Sequence, residues 1–312
     1  MDHSQDILRT ALHCGFDNCG ILAADALSGF GTLLAARIQN VPSSAGFYGN
    51  MKSFAPITEQ YPWAKSLIIC TYEYGKYCYP SSLQGRYGKA FFLYPEEGKE
   101  YGFQQKKFEQ WLTENGIRWD GMNSFPLRYA AAEAGLGIIR KNNFFYTENG
   151  SYVALIGYVT DYDGTLIHQC KVKPCSEACN LCQKACKTKA LSAPHTLDPM
   201  RCVSFWTTFG KGNIPPYLNE DMFEEWICGC DNCQDVCPYN RKHNWDIGKS
   251  FGDLDQIASI LEPENLLEQS DEIIKEQVIP RTDNHLSPND SGVLRKNAER
   301  ALRYRASQNP NR

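Results

Sequence analysis

The spacing of apolar residues changes several times along the chain, and each change marks an element. Ile7, Leu8, Ala11 and Leu12 recur at helical intervals, which predicts a helix over 4–14 with Gly15 as its stop. KSLIICTY, 65–72, is a short continuous apolar run rich in β-formers and reads as a buried strand. Residues 75–100 lose the pattern and gain Gly, Tyr and Pro, the composition of a loop. Phe108, Trp111 and Leu112 share one face of a helix near 103–115, ended by Gly116. PLRYAAAEAGLG, 126–137, opens on a first-turn proline and runs through alanines to a glycine-flanked turn. SYVALIGYVTD, 151–161, is a second buried strand. Helices alternating with strands predict an α/β (α+β) domain over 1–165. A cysteine-rich domain follows over 166–245, then a helical C-terminal segment over 246–312.

Composition sets outer limits. The 312 residues suffice for a large domain and a smaller one, and 42% hydrophobic with 22% charged residues is ordinary for a globular protein. No apolar run reaches the roughly 18 residues of a membrane span. MDHSQDILRTALHCGF has neither a basic start followed by an apolar stretch nor a twin arginine, so a cytoplasmic protein is expected. The net charge of −4 provides no general attraction for nucleic acid. Contact with RNA would need a local patch, for which Arg295, Lys296, Arg300, Arg303 and Arg305 are candidates; a solvated helix face is the plainer reading of the same residues.

The cysteines change the picture. Ten of the fourteen lie between Cys170 and Cys237. Cys179, Cys182 and Cys186 have the spacing C-x2-C-x3-C, and Cys230, Cys233 and Cys237 repeat it before Pro238. This is the ending of the bacterial two-cluster ferredoxin run, in which the cysteine after the longer gap ligates the other cluster. The spacing therefore predicts two [4Fe–4S] clusters. Cys175, Cys179, Cys182 and Cys237 would hold one, and Cys186, Cys202, Cys230 and Cys233 the other. Cys170 is the alternative to Cys175, and Cys228 is left over. Structural zinc is the competing reading, although a zinc site takes four ligands and this segment offers eight in paired form. Cys14, Cys19, Cys70 and Cys78 read as small apolar residues.

Three stretches then carry a resemblance: PLRYAAAEAGLGIIRKNNFFYTENGSYVALIGYVTD, RCVSFWTTFGKGNIPP and CGCDNCQDVCPYNR. Together they resemble epoxyqueuosine reductases, cobalamin-dependent iron–sulfur enzymes related to reductive dehalogenases. The resemblance runs from about residue 5 to about 305. It implies a nitroreductase-like domain that binds cobalamin, a two-cluster ferredoxin-like domain, and removal of the epoxide oxygen from a modified nucleoside in tRNA. A flavodoxin- or ferredoxin-type protein would supply the electrons. By position, Gly135, Leu136, Gly137, Lys141, Asn142, Ser151 and Tyr152 fall on the family's cobalamin-binding segments. The plainer readings are a helix end for the glycines, a solvated cation for Lys141 and a core residue for Tyr152.

The chain departs from the family pattern in three places. Arg140 stands where the family carries glycine, and Ile138 where it often carries tryptophan. The family's proton-donating aspartate falls in WDGMNSFPLRY, where Asp120 is one position out of register and Asn123 lies nearer the proline. Asp120 is the candidate acid, since a neutral amide is a poor proton donor. The departures leave two alternatives: a related reductase acting on a small molecule, and an electron-transfer protein without cobalamin.

Overall fold

The computed structural model describes residues 3–54, 56–92, 104–121, 125–251, 254–281 and 286–308. It divides into two compact units, Met1–Glu73 with Pro95–Cys179, and Tyr74–Tyr94 with Asn180–Arg312. This division differs from the motif boundaries at 165 and 245. The segment 74–94 belongs with the cysteine-rich half, and the helical end is part of that same unit.

The first unit contains, in chain order, α1 (Ser4–His13), β1 (Asn18–Ala23), β2 (Ser66–Glu73), α2 (Gln105–Glu114), β3 (Trp119–Gly121), α3 (Leu127–Glu133), β4 (Ile138–Ile139), β5 (Phe145–Tyr146) and β6 (Val153–Thr160). A four-stranded sheet runs in the order β1-β2-β6-β3, antiparallel at every pair, with Cys19 opposite Cys70 and Asp120 opposite Val159. On one face Ala130, Ala131 and Ala134 pack with Leu67, Ile69 and Val159. On the other, Phe108 of α2 meets Phe16 and Tyr158 at ring separations of 5.7 and 5.5 Å. Helices cover both faces, so β2 is a continuous apolar run although its neighbours are antiparallel.

In the second unit, residues 74–92 thread back onto the cysteine-rich segment. The N–H of Gly88 donates to the carbonyl of Cys228 at 2.7 Å, and the Tyr87 hydroxyl donates to that of Leu261 at 2.8 Å. Short elements follow: α4 (Leu181–Ala185), β7 (Leu191–Ala193), β8 (Thr196–Leu197), α5 (Val203–Thr207), α6 (Asn232–Asp235) and α7 (Pro263–Glu268). The long α8 (Ser291–Gln308) packs on α7. Its buried Asn297 donates to the carbonyls of Thr207 and Ile227 at 3.0 and 2.9 Å, and Arg300 donates to those of Glu224 and Trp226. Val203, Leu218, Phe223 and Trp226 form a small core.

Candidate functional site

In the second unit the cysteines sit at the edges of short helices. Cys182 lies within α4 and Cys186 ends it; Cys202 precedes α5; Cys233 lies in α6; Cys237 precedes a proline-led turn. Cys186, Cys202, Cys230 and Cys233 stand close enough to act on one another electrostatically. Burial pushes the Cys233 thiol well up, and Cys202, Cys186, Asp231 and Cys182 push it further. Cys230 is raised by burial, then by Cys233 and Cys202. Burial also raises Cys202; the backbone N–H groups of Phe205 and Ser204 oppose it, and Cys186 adds to it. Cys202, Cys230 and Cys233, raised beside one another, need positive charge among them before they can serve as thiolates. That is the donor chemistry of an iron–sulfur cluster, and this set fits one. Among the described residues, no three His, Cys, Asp or Glu side chains close on a point that a single ion would occupy.

Cys175 and Cys179 belong to the first unit, and they rest on the segment after β4. Arg140 is buried and donates to the Cys175 sulfur at 3.6 Å and to the carbonyl of Lys173. The Lys141 ammonium uses its three donors on the carbonyls of Ser176, Glu177 and Cys179, at 2.8, 2.8 and 2.9 Å. Neither residue is the solvated cation that its type suggests. Of the leftover cysteines, Cys228 is fully buried, with its thiol pushed up by burial, and Cys170 is exposed.

The turn before Arg140 explains the glycines. At the end of α3 the Gly135 N–H donates to Ala132 and the Leu136 N–H to Ala131, a Schellman arrangement with Gly135 at φ +74°. A Cβ on Gly135 would run into the His168 carbonyl, and one on Gly137 into that of Tyr146. Asn142 is buried and bonds the Tyr146 hydroxyl at 2.9 Å; Leu136, Ser151 and Tyr152 are buried. The seven residues assigned to cobalamin by resemblance are thus each packed or bonded within the first unit. Of these, Lys141 also braces the Cys175–Cys179 loop.

The second cysteine motif has its own anchor, which sequence reading missed. Lys89 reaches Asp231 at 3.3 Å and Asp235 at 2.9 Å, and its backbone N–H donates to Asp231 at 2.8 Å. Asp231 lies between Cys230 and Asn232, so this ion pair holds the ligand loop itself. An acidic residue inside C-x2-C was visible in the sequence; its partner 142 positions away was not. Tyr87 is fully buried, and Arg86 pairs with Glu225 and Glu262.

Asp120 is exposed on the edge strand β3, beside the hydroxyl of Tyr61, which burial and then the Asp120 carboxylate push up. Asn123 lies outside the described residues. The basic C-terminal patch is engaged internally. Arg295 pairs with Asp271, Arg303 with Glu220, and Arg305 with Glu225 and Glu264; Lys296 bonds Asn213, and Arg300 is buried.

Comparison with known proteins adds three findings. The 4Fe-4S double cluster binding domain family matches residues 175–240, from Cys175 to beyond Cys237. The epoxyqueuosine reductase of Cellulophaga algicola is 30% identical over 77% of this chain and 79% of its own length; that of Leadbetterella byssophila is 29% identical over 83% and 89%. Among solved structures, an epoxyqueuosine reductase from Bacillus subtilis, described with its catalytic aspartate loop swung out of the active site, aligns with a TM-score of 0.76. It is 24% identical, and the match covers 98% of this chain and 83% of that one. An epoxyqueuosine reductase bound to an epoxyqueuosine-modified tRNA stem loop aligns with a TM-score of 0.73 at 24% identity, over 96% and 80% of the two chains.

Proposed function

This chain belongs to the epoxyqueuosine reductase family of oxidoreductases, and from that premise we propose that it reduces epoxyqueuosine to queuosine in tRNA. Removing an epoxide oxygen to leave an alkene takes two electrons and two protons and releases water. The observation that carries the reading is the gathering of Cys186, Cys202, Cys230 and Cys233 inside a segment that matches a double-cluster family. Bound clusters supply single electrons at low potential. Cys175, Cys179, Cys182 and Cys237 would hold the other cluster, by their spacing. A flavodoxin- or ferredoxin-type donor fits one-electron entry, and work on tRNA fits the cytoplasm. Among the described residues no helix is long and apolar enough to cross a membrane.

Asp120 would provide a proton; its exposed edge position beside Tyr61 leaves it accessible. The resemblance also brings cobalamin, as the centre that receives the electrons in a nitroreductase-like domain. The internal pairing of the C-terminal basic residues favours a second reading, reduction of a small molecule, since that helix has few cationic groups to offer phosphates.

The test is direct. Oxygen-protected protein is incubated with epoxyqueuosine-containing tRNA and a strong reductant, and the digested nucleosides are separated. Queuosine is expected. Its absence from a preparation that holds both clusters would remove the tRNA reading and leave the small-molecule one.

A further inference from the structure

The arginine that replaces the family's glycine has a defined place in the structure, and its role toward a cluster rests on the reading of Cys175 as a ligand. Arg140 is 2% exposed and directly follows β4. Its guanidinium meets the Tyr146 ring at 5.0 Å from its centroid, the carbonyl of Lys173, and the Cys175 sulfur at 3.6 Å. Lys141 pins the same loop through three carbonyls, so the sulfur is held against the guanidinium and not merely near it. An arginine cannot lose its charge in a protein. A buried charge is screened little by salt. Cys170, by contrast, is exposed.

Adding an electron makes a thiolate-bound cluster one charge more negative. An N–H donated to a ligand sulfur and a fixed cation beside it both stabilise that reduced form. A glycine at this position supplies neither. We infer that Arg140 raises the reduction potential of the cluster bound by Cys175, making that cluster easier to reduce than it would be in a relative with glycine there. Arg140 is thus a positioning and tuning residue; it touches a ligand sulfur, not the substrate.

The experiment is a redox titration followed by electron paramagnetic resonance on anaerobic wild type, Arg140→Gln, Arg140→Lys and Arg140→Gly. Iron is counted first. Wild type without iron would sink the cluster reading, and this inference with it, before any titration. With iron present, Arg140→Gln and Arg140→Gly are expected to lower one midpoint and leave the other in place. At a fixed potential the ratio of reduced to oxidised cluster would fall about tenfold, which is 59 mV for a one-electron couple. Arg140→Lys, keeping the charge, recovers part of the shift. Unchanged midpoints in a fully loaded Arg140→Gln overturn the inference. Should the variants lose iron, wild type decides. Protein labelled with nitrogen-15 arginine is expected to show a nitrogen coupling to the reduced cluster in electron–nuclear double resonance, and its absence overturns the inference equally.

Discussion

Replacing Lys89 by methionine removes a charge from the base of the second cysteine loop while keeping most of the stem's volume. Lys89 is 2% exposed, bonded to Asp231 and Asp235, and its ammonium lies 4.9 Å from the Trp245 ring centroid. Burial alone would lower this ammonium, but Asp231 and Asp235 outweigh it and hold it above its ordinary value. Burial pushes the Asp231 carboxyl up, and Lys89 pulls it only part of the way back. Without Lys89, Asp231 is left buried and facing the Asp235 carboxylate. Breaking a buried pair by deleting one partner costs about 3–5 kcal/mol. At roughly 2–4 °C per kcal/mol for a body of this size, the melting temperature should fall on the order of 10 °C. The pH dependence has a definite sign. The stability contributed by Lys89, whose folded value is raised, is complete below its unfolded value and disappears only as alkaline pH passes its folded value. The folded state favours Asp231 protonated, so its ionisation costs stability as pH rises, and more so once Lys89 is gone. The gap between K89M and wild type should therefore narrow from neutral to mildly acid pH, and Asp231→Asn in the K89M background should recover most of it. Anaerobic melts followed by circular dichroism and cluster absorbance at two pH values measure this. A melting temperature within about 2 °C of wild type at neutral pH, less than one kcal/mol, refutes the reasoning, as does a gap that ignores pH.

Gly135→Ala places a side chain at φ +74° against the His168 carbonyl. The left-handed conformation alone costs about 1–2 kcal/mol, and the collision adds to it, so the urea midpoint should drop; an unchanged midpoint would deny the close approach. Cys228→Ser should keep the iron and acid-labile sulfide of wild type, whereas Cys233→Ser should lose part of both; equal iron in the two would break the ligand assignment. Asp120→Asn should slow epoxyqueuosine reduction by about 100-fold or more with iron intact, and an unaffected turnover number would release Asp120 from its role.

Most elements were legible because each follows from local pattern. Ile7 and Ala11 are buried on α1, the 65–72 run is the core of β2, and α2 and β6 fall within their expected spans. The antiparallel order of the sheet was not legible, because apolar spacing reports burial and not strand direction. The cysteine motifs were legible because cluster geometry constrains neighbours in sequence. Their supports were not. Lys89 meets Asp231 only through the tertiary return of 74–92, and Arg140 read as a misplaced cation because nothing local marks Cys175 as its partner. The tight turn at Gly135 and Gly137 was legible as a helix end, whereas the His168 and Tyr146 carbonyls that crowd it are tertiary neighbours the sequence does not mark.

The second unit takes one segment from early in the chain and another from its far end. On the ribosome, Tyr87 and Lys89 emerge long before Asp231 and Leu261 exist to receive them. Iron delivered during synthesis would meet sulfurs whose backbone is not yet held by Asn297 and Arg300. A held Cys230 loop therefore waits on α8, which closes on the carbonyls of Thr207, Glu224, Trp226 and Ile227.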